Sequence, residues 1–225
     1  MPRRRIVITT GETYHIFNRS VGRVPIFNST RDYKRALEVF KFYAYGNPPL
    51  KYSRFNVLPG DQKVAFLQNL HTSHPKIVKF IAYCLMPNHF HFLVTELQDN
   101  GISTFMRNFQ NSYAKFFNLK FDRTGALFQS MFKAVRIETD EQLLHVSRYI
   151  HINPITSFIF KDSEELDTYD WSSWGAYNDL HEQEIIDTSL IMPHFKSLED
   201  FRKFNFDQAD YQRSLDEIKH LTLEK

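Results

Sequence analysis

The spacing of apolar and polar residues along the chain predicts a mixed fold of helices and strands. Short runs with the two-residue repeat of a strand, or the continuous apolar character of a buried one, lie at 14–18, 78–85, 89–95 and 132–138. Repeats of three to four residues, typical of amphipathic helices, lie at 30–44, 62–70, 103–119 and 139–152. The order of these elements predicts an α+β sandwich of the ferredoxin-like type, with an antiparallel sheet and helices on one face.

A domain boundary is predicted near residue 160. The chain after it is more polar, and its helical patterns at 171–180 and 197–222 follow the regular series of strands and helices rather than continuing it. Residues 1–160 are therefore predicted to form one domain, and residues 161–225 a helical C-terminal extension.

Composition limits the class of protein. A chain of 225 residues, 42% of them hydrophobic and 24% charged, can bury a core without disulfides. Its one cysteine, Cys84, excludes an internal disulfide and is typical of a reducing compartment. No segment approaches the roughly 18 apolar residues of a membrane span, and the Arg-rich start lacks the apolar part of a signal peptide. We therefore expect a cytoplasmic protein that does not associate with a membrane.

Positive charge is concentrated near the start of the chain, although the net charge is only +2. Basic side chains can bind the phosphates of nucleic acid. A solvated face without a ligand has the same composition, so charge alone does not decide. The candidate DNA contacts, here and on a later helix and strand, are Arg3, Arg4, Arg5, Arg19, Arg23, Lys115, Lys133 and Arg136.

Two histidines separated by one residue carry the strongest chemical signal. Successive side chains of a strand point to opposite faces, so His89 and His91 share one face while Phe90 and Phe92 share the other. Two imidazoles about 7 Å apart on a rigid strand can converge on one metal ion. Two polar positions on a half-buried strand would have the same spacing. Buried histidines, however, need partners, which favours the metal site.

Five segments between residues 10 and 180 resemble, in order, the REP-associated branch of the HUH-type single-tyrosine transposases, within the IS200-like superfamily. The most specific segment is the histidine strand, 83–94 (YCLMPNHFHFLV). The others are 14–19 (YHIFNR), 112–118 (SYAKFFN), 125–129 (GALFQ) and 148–154 (RYIHINP). The resemblance implies a metal-dependent enzyme, using Mg²⁺ or Mn²⁺, that cleaves and rejoins single-stranded DNA through a 5′-phosphotyrosine intermediate.

The resemblance also implies that Tyr113 is the nucleophile. On a helix, Tyr113 belongs to an apolar stripe that faces the sheet, formed with Ile102, Phe105, Met106, Phe109 and Phe116. This orientation is compatible with a phenol aimed at a metal on a neighbouring strand, and equally with a tyrosine in the core. A free phenol has a pKa near 10, so it needs help to act as a nucleophile at neutral pH.

The third metal ligand is left open by the sequence. Relatives from insertion sequences place a polar ligand one helical turn after the tyrosine, where this chain has Phe117, which cannot bind a metal. We expect Asn118 in this role, with Gln110 and Gln129 as alternatives.

The sequence leaves two other functions open. The chain could be a DNA-binding regulator that has lost cleavage, or a metal hydrolase that uses the same histidines on a small substrate. For the transposase, the expected partner is single-stranded DNA with hairpins like those of repetitive extragenic palindromes. The expected oligomeric state is a monomer or a homodimer.

Overall fold

A four-stranded antiparallel sheet forms the centre of the computed structural model, which describes residues 7–46, 48–160, 163–180 and 185–207. The strands, in the spatial order β2-β3-β1-β4, are β1 (Thr13–Arg19), β2 (Val78–Met86), β3 (His89–Glu96) and β4 (Lys133–Arg136). The helices are α1 (Thr30–Tyr43), α2 (Tyr52–Phe55), α3 (Gly60–Ser73), α4 (Gly101–Lys120), α5 (Asp140–His151), α6 (Asn153–Thr156), α7 (Ser163–Asp167), α8 (Trp174–Tyr177) and α9 (Leu198–Phe206). Over the described ranges, none of them has the length and apolar character that a membrane crossing requires. The strand order, with α1 and α4 as crossovers, confirms the predicted ferredoxin-like α+β class.

Helices α1 and α4 cover one face of the sheet because each carries a stripe of large apolar side chains. Phe105 and Phe109 of α4 pack against Phe90 and Phe92 of β3, with ring centroids 5.3–5.8 Å apart. Complete burial of such a ring contributes about 1.5–3 kcal/mol. The alternation of β3 therefore fixes α4 on the phenylalanine face of the sheet, which we call the aromatic face.

The opposite face is covered by α5 and by the described part of residues 163–207. Its core includes Leu93 of β3, Ile150 of α5, and Trp174 and Phe201 from the C-terminal segment. Helices therefore cover both faces, which corrects the expectation of helices on one face only. Strand β2 explains why both faces are covered, because its run is buried along nearly its whole length. A strand that is apolar on both sides needs a packed layer on each.

The C-terminal segment also covers the outer edge of β2. The Leu85 amide donates to the Trp171 carbonyl, and the Ser173 amide donates to the Tyr83 carbonyl, both at 2.9 Å. Open strand edges can pair with other chains, and this contact protects the β2 edge from such pairing. It also corrects the helix predicted for 171–180, since only Trp174–Tyr177 is helical there. The domain boundary near residue 160 remains a prediction, although the described residues after it share a core with the sheet.

Helix α9 is attached to α5 through Arg148. The Arg148 Nη1 donates to the Phe204 carbonyl at 3.1 Å, and the guanidinium lies 4.4 Å from the centre of the Phe204 ring. Trp174 and Phe201, from the same C-terminal segment, stack on each other. The helix predicted for 197–222 is thus present over Leu198–Phe206, while residues 208–225 lie outside the described residues.

Gly101, the first residue of α4, lies against the backbone of Ile77. A Cβ at this position would be 2.3 Å from the Ile77 carbonyl oxygen. We expect Gly101→Ala to lower the free energy of unfolding by about 2 kcal/mol, as overpacking typically does, measured by urea denaturation. Gly60→Ala is the matched control, because Gly60 begins α3 and a Cβ there meets nothing within 4 Å. Equal effects of the two substitutions would contradict this explanation.

Candidate active site

Three elements bring polar side chains together on the face opposite α4, which we call the histidine face. In the antiparallel register of β1 and β3, Arg19 lies opposite His89 and Phe17 opposite His91, so these side chains share the face. Helix α5 packs on the same face and contributes Tyr149. The side chains line a cavity of about 320 Å³, formed by Phe17, Asn18, Arg19, Arg23, His89, His91, Gln129, Lys133 and Tyr149.

The two histidines meet at the floor of this cavity. Their rings are 5.0 Å apart and nearly perpendicular. His91 is 5% exposed, and its Nδ1 lies 2.9 Å from Nε2 of His15. Its other nitrogen, Nε2, is buried and has no hydrogen-bond partner among the described residues. The Nδ1 of His89 lies 2.6 Å from Oδ1 of Asn88.

Burial keeps the central histidines neutral. It lowers the pKa of His91 well below its usual value, and electrostatic interactions with His89, His15 and Arg19 lower this pKa further. Burial also lowers the pKa of His15 to about 4. Both imidazoles are therefore uncharged at neutral pH. A neutral imidazole has one nitrogen lone pair available to a metal or a hydrogen-bond donor.

The donor set fits a divalent metal that takes further ligands from elsewhere. The unpartnered Nε2 of His91 is the kind of buried polar atom that a cation would satisfy. Among the described residues, however, no three side chains of His, Cys, Asp or Glu are grouped to hold an ion. A metal bound by His89 and His91 therefore needs oxygen ligands from an amide, water or substrate.

Tyr149 is held in the cavity by a well-defined helix. Helix α5 begins at a side-chain cap, in which the Thr139 Oγ1 accepts from the Gln142 amide at 3.2 Å. The Gln142 Oε1 also accepts from the Glu138 amide at 2.8 Å. The buried residues Leu143 and Ile150 anchor the helix to the sheet. This packing leaves Tyr149 partly exposed at the border of the apolar stripe.

The phenol ring of Tyr149 lies directly against the histidines. Its centroid is 5.3 Å from that of His91, with the rings perpendicular, and 6.0 Å from that of His15. It also interacts electrostatically with Arg19. The lining of the cavity therefore includes the phenol of Tyr149, the imidazoles of His89 and His91, and two guanidinium groups.

Tyr113 is not in this cavity, contrary to the expected placement beside the histidines. Its side chain is completely buried, and its hydroxyl donates to the Ile26 carbonyl at 2.6 Å. The ring packs on the aromatic face, 5.1 Å from Phe27 and 6.3 Å from Phe128. Burial raises the pKa of the hydroxyl strongly, and the nearby Asp32 raises it further. The helix does face the sheet as expected, but from the side opposite the histidines.

The three candidates for the third metal ligand are not brought together by the fold. The Asn118 side chain donates to the Gly125 carbonyl and accepts from Arg123, both at 2.9 Å. Asn118 and Gln110 both belong to α4, so neither is brought to the histidine face. Gln129 lines the cavity, and its backbone amide donates to the Arg19 carbonyl at 2.9 Å. The structure thus brings Gln129, rather than Asn118, to the histidines.

The candidate DNA contacts divide into four sets. Arg19, Arg23 and Lys133 line the cavity. Arg136 lies opposite Tyr14 in the sheet, on the aromatic face, and forms an ion pair with Glu12 at 2.8 Å. Lys115 is exposed on α4, away from the cavity. The remaining three candidates, Arg3, Arg4 and Arg5, lie outside the described residues.

Two residues of this site, Tyr149 and His15, were not singled out from the sequence. Both lie in segments that resemble the transposases, 148–154 and 14–19. The sequence signal for Tyr149 is its position on a helix that follows the fourth strand. Because both crossover helices cover one face of the sheet, this helix packs on the other face. No comparable signal marks His15, because its contact with His91 depends on the register of β1 and β3.

Comparison with known proteins connects this site to a family. Residues 52–153, which include His89, His91 and Tyr149, match the family model described as "Transposase IS200 like". A comparison with curated proteins finds no match.

A solved structure described as a REP-associated tyrosine transposase bound to a REP hairpin is similar to this chain, with a TM-score of 0.53. The two are 16% identical, and the similarity covers 84% of this chain and 96% of that one. At this identity the similarity shows a shared fold. The family match over residues 52–153 and the shared fold therefore confirm the resemblance to the IS200-like transposases that the sequence motifs indicated.

Proposed function

We propose that this chain cleaves and rejoins single-stranded DNA that contains hairpins, with Tyr149 as the nucleophile. The observation that carries the proposal is the cavity on the histidine face, which contains Tyr149, the histidine pair and three cationic side chains. The solved structure with the same fold, which is bound to a REP hairpin, supports hairpin DNA as the substrate class. Tyr149 replaces Tyr113 in this role because Tyr113 lies in the opposite core.

The proposed step is a transesterification. The Tyr149 oxygen bonds to the phosphorus of a DNA phosphodiester while the bond from that phosphorus to the 3′ oxygen breaks. The phenol loses its proton and the leaving 3′ oxygen gains one, so the products are a 5′-phosphotyrosine and a 3′-hydroxyl. Attack by a 3′-hydroxyl reverses the step. Since the phosphodiester is exchanged rather than hydrolysed, no nucleotide cofactor is needed.

The basic side chains of the cavity bind and orient the scissile phosphate. Arg19 lies opposite His89 in the sheet and lines the same cavity as Tyr149, so its charge stabilises the phosphate and the phenolate character that develops on Tyr149. Arg23 and Lys133 bind adjacent phosphates. His89 and His91 would hold Mg²⁺ or Mn²⁺, with Gln129 as the candidate third ligand. A bound divalent ion supplies positive charge that offsets the negative charge developing on the phosphate oxygens.

The metal and the DNA should bind cooperatively. The described lining of the cavity contains Arg19, Arg23 and Lys133 but no carboxylate, so a divalent ion is repelled until a DNA phosphate supplies negative charge. We expect a bound hairpin oligonucleotide to lower the Mn²⁺ dissociation constant by about tenfold or more, within the usual range of coupling. Electron paramagnetic resonance titrations of the Tyr149→Phe variant, with and without DNA, measure this effect, and DNA alone serves as the blank. Equal dissociation constants would refute the coupling.

The activity itself is tested by incubating the protein with hairpin-containing single-stranded oligonucleotides and Mn²⁺ or Mg²⁺. We expect a protein–DNA adduct that survives a denaturing gel. Tight binding without an adduct would instead indicate a regulator that has lost cleavage. Absence of both would exclude the proposal and leave a hydrolase acting on a small substrate.

A further inference from the structure

We infer that His15 is a positioning residue that selects the tautomer of His91 and thereby directs the Nε2 lone pair of His91 into the cavity. The inference rests on the proposed function, since it assigns a role to a neighbour of the proposed metal ligand. It concerns a hydrogen bond between two side chains of this chain, which can be measured without any cleavage.

The hydrogen bond joins Nε2 of His15 to Nδ1 of His91 at 2.9 Å. One proton occupies such a bond between neutral imidazoles, so one ring donates and the other accepts. If His91 donates from Nδ1, its Nε2 carries the lone pair. If His15 donates, the His91 Nε2 carries a hydrogen and cannot bind a metal.

The surroundings of His91 Nε2 favour the first of these arrangements once a cation is bound. This nitrogen is buried and has no acceptor among the described residues. A hydrogen there would remain unsatisfied, whereas a lone pair there can coordinate an ion. Coordination then requires an acceptor for the Nδ1–H, and His15 Nε2 is the atom within reach. Histidine ligands of metals usually have such an acceptor, and its loss typically weakens metal binding about 10–100-fold.

The surrounding rings hold His15 in place. Its imidazole stacks on His91 at 5.1 Å and contacts Phe17 at 4.9 Å, and its edge meets Tyr149 at 6.0 Å. The pairing of β1 with β3 fixes the backbone of His15 opposite Leu93. The ring therefore has little freedom to leave His91.

A neutral acceptor also suits the charge of the cavity. A carboxylate in place of His15 would attract the cationic side chains that the proposal assigns to DNA phosphates. Imidazole accepts the same hydrogen bond without adding a negative charge. This is the physical reason to expect histidine, rather than aspartate or glutamate, behind His91.

The test compares His15→Gln with His15→Leu, both made in the Tyr149→Phe background with a hairpin oligonucleotide bound. The Gln side chain offers an amide oxygen at about the position of His15 Nε2, whereas Leu offers no acceptor. We expect His15→Leu to raise the Mn²⁺ dissociation constant about 10–100-fold, and His15→Gln to restore most of the affinity. Nitrogen-15 NMR of the metal-free protein should show His91 with its proton on Nδ1. Urea denaturation confirms that both variants fold.

Two results would overturn the inference: equal Mn²⁺ affinity of the Leu variant and its parent, or a proton on His91 Nε2 in the metal-free protein. Failure of the inference can be told apart from failure of the proposed function. If the wild-type chain forms no DNA adduct but the NMR and Mn²⁺ results are as expected, only the proposed function fails. If the adduct forms and the Leu variant binds Mn²⁺ normally, only the role of His15 fails.

Discussion

Tyr149→Phe is expected to abolish the covalent protein–DNA adduct, and Tyr113→Phe is expected to form it at close to the wild-type level. The first substitution removes the only oxygen of the side chain that lies against His91. The second removes a hydroxyl that donates to the Ile26 carbonyl on the other side of the sheet. Gel analysis after incubation with a hairpin oligonucleotide and Mn²⁺ separates the two.

The two tyrosine variants are controls for each other, because each loses one oxygen and keeps its ring. Tyr113→Phe leaves a buried carbonyl without its donor, which typically costs about 1–3 kcal/mol of stability. Urea denaturation measures this loss, so reduced folding can be told from lost chemistry. Adduct formation by Tyr149→Phe, together with its loss in a folded Tyr113→Phe, would restore Tyr113 as the nucleophile.

His91→Ala and His89→Ala are expected to lower the rate of DNA cleavage by about a hundredfold or more, the usual effect of losing a group that stabilises a transition state. Each substitution removes one of the two imidazoles proposed to hold the metal. Affinity for the oligonucleotide should change little, because it arises mainly from phosphate contacts of basic side chains. Cleavage is measured on labelled DNA, and affinity by fluorescence anisotropy in the same buffer.

His194→Ala is the matched control for these variants, since His194 is an exposed histidine in a short turn outside the cavity. We expect it to keep wild-type cleavage. An equal loss of cleavage and DNA affinity in the His89 and His91 variants would argue against a metal-binding role. It would indicate instead that these histidines support the shape of the DNA site.

The fold could be predicted because its pattern is local. The alternation of β3 and the apolar run of β2 identify strands directly, and the element order fixes the ferredoxin-like arrangement. The helix at 171–180 could not be predicted correctly, because residues 171–173 hydrogen-bond to the edge of β2. That contact spans more than 80 residues of sequence and leaves no periodic signal.

The sequence shows the histidine pair directly, but it does not show which tyrosine lies beside that pair. The apolar stripe of α4 indicates correctly that Tyr113 faces the sheet, but periodicity does not say from which side. Topology does: both crossover helices of this fold lie on one face, and α4 packs its phenylalanines against Phe90 and Phe92. His91 points away from that face. The tyrosine that contacts His91 is Tyr149, and it therefore comes from an element on the other face, α5.

The positions of Gln129, the proposed third metal ligand, and of His15 lie further from what a sequence can show. Gln129 reaches the cavity because its backbone is tied to the end of β1 through Arg19 and Asn18. His15 meets His91 because of the register between two strands whose residues are 76 positions apart. Both depend on the placement of whole elements rather than on any local pattern.

The attachment of α9 to Arg148 has a consequence for protein engineering. Arg148 is the immediate neighbour of Tyr149, and its guanidinium is clamped by the carbonyl and the ring of Phe204. Helix α9 thus holds the residue next to Tyr149, although none of its described side chains lines the cavity. A shortened version of the chain would therefore need to retain Leu198–Phe206 to keep this contact with α5.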